Sequence, residues 1–218
     1  MRLGFSYVGL IYLIMLFVPN IIWTKHKPKD YDQYVGNENR LLLTLERIGE
    51  VLVSGIALVF TDFNLRSCHL WLVWLGVSFA LMVLYEIFWV RYFRSKKEMS
   101  DFYSSILKIP VAGATLPVAA FFLLGIYGQN ALMMLSSVIL GVGHIGIHLA
   151  HRNEVCGRPK KRPMVLRILR GIAVVLLVAV FGVISSVIAA GRFVLRDRVV
   201  DGEQEILAEA RKVLSQIR

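Results

Sequence analysis

Three of the chain's five histidines, His144, His148 and His151, fall within eight residues. On a helix turning about 100° per residue, His148 lies about 40° from His144 and His151 about 20° to its other side, so the rings share one narrow stripe. Imidazoles one turn apart can share a borderline metal such as zinc. A third can join from the next turn, and a carboxylate from another helix can complete or polarise the site. The surrounding run, Gly141 to His151, closes a segment apolar enough to cross a bilayer. Ionisable side chains are costly there, so they face a bundle interior or a wet cavity and mark a functional site by default.

The carboxylates expected to meet this stripe are Glu86 and Glu50, with Ser54, Tyr85 and Lys108 at similar depth. Glu86 stands about one turn before the end of its apolar run and His148 about half a turn before the end of its own, so the two come to comparable depth. The chemistry expected of the group is a divalent metal, zinc first, held by His144, His148 and His151. A metal-bound water would be a nucleophile near neutral pH, with Glu86 or Glu50 as general base.

Helices of membrane length must carry these residues. Leu3 to Trp23 is the first apolar run of about 20 residues, and its continuation into Lys25 argues for a retained helix rather than a cleaved leader. A second helix starts amphipathic at Arg40, with Glu46, Arg47 and Glu50 opposite its leucines, and then becomes uncharged from Val51 to Thr61. Leu70 to Val90 is the third span, with Trp71, Trp74, Trp89 and Tyr92 as interfacial belts. Ile106 to Ile126 is the fourth, kinked by Pro110 and Pro117. The short turn at Tyr127–Asn130 returns the fifth, Ala131 to Ala150, antiparallel beside it. A sixth span covers 171–191, and 199–218 reads as a soluble amphipathic helix suited to docking or self-association. The expected fold is therefore all-α: a polytopic bundle of about six spans, with a five-span core over 1–152, a basic linker over 153–170, and the last helix and tail.

The composition is 56% hydrophobic and 18% charged, against about 25% charged in an ordinary soluble domain. The net charge of +10 is concentrated in short loops, above all 91–97 and 152–170, the latter with seven basic residues and one acid. Such loops act as cytoplasmic anchors beside anionic headgroups, so the expectation is a bacterial inner-membrane protein with these loops inside and no nucleic-acid partner. The two cysteines, Cys68 and Cys156, fall on opposite sides in this arrangement and cannot pair.

Through Ile-Pro-Val-Ala-Gly-Ala-Thr-Leu-Pro at 109–117 and Gly-His-Ile-Gly-Ile-His at 143–148, residues 1–152 resemble multi-pass membrane proteins of bacteria. That resemblance implies a helical membrane core and no particular activity. Glu50-x-x-x-Ser54 is similar to the opening of the Glu-x-x-x-Ser-x-x-x-His motif of ceramidase-like intramembrane hydrolases, with Leu58 in place of the histidine. Two functional classes stay open on the sequence. One is a metal-dependent hydrolase of a lipid-like substrate. The other is a non-catalytic transporter subunit or adaptor whose histidines pack or relay protons.

Overall fold

The computed structural model describes residues 1–34, 38–66 and 71–157, which fall within one compact unit. The expected sixth span (171–191), the tail helix (199–218), most of the loop 152–170 and the link carrying Cys68 and His69 lie outside the described residues. Among the described residues the fold is all-helical, with no strands. Helix α1 spans Tyr7–Lys25, α2 Arg40–Val59, α3 Leu72–Phe93, the short α4 Met99–Phe102, α5 Ala112–Gly128 and α6 Ala131–Val155.

Three of these helices, α1, α3 and α6, are long and apolar enough to cross a membrane. Helix α2 carries Glu46, Arg47 and Glu50 within its apolar stretch, and α5 has only 17 residues. The helix ends follow from local chemistry. Ser6, Asn39 and Asn130 each turn a side-chain oxygen onto a free backbone N–H in the first turn of α1, α2 and α6.

The fourth expected span needs correction. Its helix begins at Ala112 rather than Ile106, because residues 106–109 fold into a tight turn. Ile109 N–H donates to the Ile106 carbonyl at 2.8 Å, and Leu107 and Lys108 hold φ of 49° and 64°. Pro110 therefore precedes the helix, and Pro117 alone lies inside it.

The chain runs up and down, so α1, α3 and α6 point one way and α2 and α5 the other. At one end the backbone of residues 2–6 pairs with that of 58–61, and buried Asp62 accepts from the Arg2 backbone at 2.7 Å and from the Arg66 guanidinium at 3.3 Å. At the other end the Tyr92 hydroxyl donates to the His26 carbonyl, and the Met99 N–H donates to Asp30. The principal packing joins α2 to α6, α3 to α5 and α5 to α6, whereas α1 rests more sparsely on α2 and α3.

Polarity is arranged inside out. Leu10, Ile11, Ile14, Val18 and Ile21 of α1 and Val73, Val77, Val83 and Ile87 of α3 are exposed. Meanwhile the Tyr12 hydroxyl donates to Ser78 and Ser78 to the Ala120 carbonyl, both fully inside. An exposed apolar mantle over an interior laced by hydrogen bonds suits a hydrocarbon surrounding better than water.

Candidate metal centre

The site is made by a close helix crossing. Gly143 of α6 lies against the α2 backbone at Leu42 and Glu46, where a Cβ would come within 2.6 Å of the Leu42 carbonyl oxygen. A Cβ on Gly49 of α2 would come within 2.5 Å of the Leu140 Cα. Two glycines, one on each helix, thus let the backbones touch, as small residues do where helices pack without a hydrophobic driving force. The residue after Gly143 is His144, and the backbone against which Gly143 rests carries Glu46.

The outcome is a contact of 2.5 Å between His144 Nδ1 and Glu46 Oε1, largely shielded from solvent. His148 sits one turn on, its ring centroid 4.6 Å from that of His144. One ligand atom from each of Glu46, His144 and His148 lies within 4.8 Å of the other two, so this group could hold a metal ion. His148 Nδ1 lies 3.2 Å from the Tyr103 hydroxyl, and the Phe102 ring packs beside it. When Nδ1–H donates to Tyr103, Nε2 keeps its lone pair for a ligand, which is the usual outer-shell support of a metal-binding histidine. Burial raises the pKa of the Tyr103 hydroxyl well above the usual tyrosine value, with nearby Tyr31, Glu38 and Glu154 adding to the effect, so it stays neutral.

His151 faces the same cavity but has its own acids. Its Nε2 is 3.2 Å from Glu38 Oε1 and its Nδ1 3.7 Å from Glu154 Oε2. The three histidines therefore do line one space, while His151 stands apart from the compact three-residue group.

The two expected carboxylates are placed differently. Glu50 lines the cavity, with its Oε2 3.1 Å from Arg47. Glu86 does not line it; its Oε1 is buried without a hydrogen-bond partner among the described residues. Lys108 sits exposed in the turn before α5, away from the cavity lining, whereas Tyr85 and Ser54 belong to that lining. Arg91, a natural partner for Glu86 by position, instead donates to the carbonyls of Ser104 and Ser105.

Glu46 is the residue that sequence reasoning passed over. Its neighbours Arg47 and Glu50 drew it to the polar side of an amphipathic helix, but the buried stripe of α2 is Leu42, Glu46, Gly49, Val53 and Ala57. A carboxylate at helical spacing from a glycine and three apolar residues is the signal that marks it. Tyr103 and Glu38, in connecting segments, carried no periodic signal.

Two imidazoles and one carboxylate form the donor set of open catalytic zinc sites, which leave a position for water or substrate. The group opens into a cavity of about 470 Å³ reached by residues of all the long helices, large enough for a small-molecule or lipid substrate. No protein family matches this chain, nor does any curated protein or solved structure.

Proposed function

We propose that this chain is an integral membrane, metal-dependent hydrolase with a lipid-like substrate. The observation that carries the reading is the convergence of Glu46, His144 and His148 on one point at the wall of an interior cavity. Glu46, His144 and His148 would hold a zinc ion, which would supply Lewis-acid activation of a water nucleophile. The chain's own residues do the rest. Tyr103 fixes the ring of His148. Glu50, poised by Arg47 on the same cavity, is the proposed proton acceptor. His151, paired with Glu38, lines the same cavity beside the three ligands. Glu86 has no part in this chemistry.

The same reading places the chain as a multi-pass protein of about six spans in a bacterial inner membrane, with the basic loops 91–97 and 152–170 cytoplasmic and against anionic headgroups. The inside-out polarity and the three long apolar helices support membrane placement. The side assignment rests on loop charge alone. The tail 201–218 is proposed as a docking or self-association element from its apolar stripe.

One observation favours a second reading. Glu46 with His144, His148 with Tyr103, and His151 with Glu38 make successive hydrogen-bonded pairs along α6, an arrangement that suits a proton relay in a transport protein.

The purified protein, screened against ester and amide lipids before and after treatment with a chelator, tests the main reading. Hydrolysis that stops with the chelator and returns with zinc supports it. A protein free of metal that hydrolyses none of them, while its histidine variants lose proton-coupled flux in liposomes, supports the relay instead.

A further inference from the structure

The cavity extends well beyond what three metal ligands require, and its shape follows from how α1 and α2 diverge. The two helices meet backbone to backbone where Gly9 rests on the Ala57 carbonyl. From there α1 follows α3, tied by Tyr12 to Ser78 at 2.9 Å, Asn20 to Tyr85 at 2.9 Å and the His26 carbonyl to Tyr92 at 2.8 Å. Helix α2 follows α6 instead, held at Gly49 and Gly143. Beyond the Gly9 contact α1 and α2 flank a wedge, and both line the cavity on the way to the histidines, α1 through Leu16, Phe17, Asn20 and Trp23 and α2 from Leu43 to Ser54.

The wedge has two chemistries. Leu16, Phe17, Val53, Pro117, Phe121 and Leu140 give it apolar walls, while Glu46 and the histidines form its polar part. Its two exposed lining residues, Phe17 and Arg47, stand on α1 and α2. Both therefore reach the surface at the cavity, where the α1 residues Ile14, Val18 and Ile21 are themselves apolar and exposed.

We infer that the wedge is a site for the hydrocarbon chain of a membrane lipid, which enters laterally between α1 and α2 and lies along the apolar walls with its polar linkage at Glu46, His144 and His148. This rests on the hydrolase reading for the role of the polar end, and it adds the substrate class, a long-chain acyl lipid taken from the bilayer rather than from water. Burial of successive methylenes would then supply the affinity and set a preference for chain length.

Tryptophan fluorescence tests it with the full chain in phosphatidylcholine nanodiscs. Of the four tryptophans, Trp23 and Trp89 line the cavity, whereas Trp71 and Trp74 do not. In a Trp71→Phe/Trp74→Phe background, dibrominated hexadecanoic acid is titrated as the quenching probe, and zinc content is measured on the same samples. The expected result is saturable quenching that unbrominated hexadecanoic acid reverses. Val53→Phe on α2 and, as a milder filling from α1, Leu16→Phe should each raise the half-saturation point about tenfold with zinc content unchanged. Quenching that only grows in proportion to the probe, or an unshifted half-point in both variants, overturns the inference. Saturable, variant-sensitive quenching in a protein without zinc would keep the chain site and remove the hydrolase reading, so the two failures are distinct.

Discussion

Glutamine in place of Glu46 keeps the size of the side chain and removes the charge that meets His144 Nδ1 at 2.5 Å. Zinc takes a carboxylate oxygen in preference to a neutral amide, so Glu46→Gln should cost metal affinity far more than it costs the fold. Tyr103→Phe acts one step further out. It removes the partner of His148 Nδ1, and loss of such outer-shell partners weakens metal affinity by about 10–100-fold, measurable by competition with a chromophoric chelator. Glu86→Gln, by contrast, should leave metal content unchanged, since Glu86 lies outside the cavity lining. At this scale the histidine stripe was legible because a period of 3.6 is a property of one helix. The carboxylate partner was not, since finding it requires knowing which helices touch, and depth along the chain pointed to Glu86 and Glu50 and passed over Glu46.

Among the helices, the crossing of α2 and α6 is the step that creates the site. Gly143→Leu puts a side chain where the backbone of Leu42 and Glu46 already lies. Overpacking typically costs about 1–3 kcal/mol, and rigid backbone on the other side leaves little room to relax. The expected outcome is a lower unfolding temperature together with loss of metal, while Gly55→Leu, at a position with nothing nearby, changes neither. Ser78→Ala breaks the link from Tyr12 through Ser78 to the Ala120 carbonyl that joins α1, α3 and α5. It should destabilise by about 0.6 kcal/mol, the average measured for hydrogen bonds between membrane helices, and by at most about 1.7 kcal/mol, as read by unfolding in mixed micelles. Apolar runs announced the long helices, but not the start of α5. Ile106, Leu107 and Ile109 extend the apolar run without extending the helix, because Leu107, Lys108 and Val111 take left-handed backbone angles that hydropathy does not register.

Across the described residues, α1, α3 and α6 point one way, so residues 26–34, 94–111 and 155–157 gather at one end with the histidines, and Gln129 sits at the other. Exposed Cys156 and a cysteine placed at Lys96, each in a Cys68→Ser background, should therefore react with an impermeant maleimide from the same side. A cysteine at Gln129, in a chain also lacking Cys156, should react from the opposite side. The orientation proposed from loop charge makes the first side the cytoplasm. The deciding measurement for the metal centre is the metal content of the chain purified without chelators, beside a His144→Ala/His148→Ala variant of unchanged helicity. About one zinc per chain, lost in the variant, is expected. Equal and negligible metal in both proteins, with none taken up when zinc is added, would contradict it.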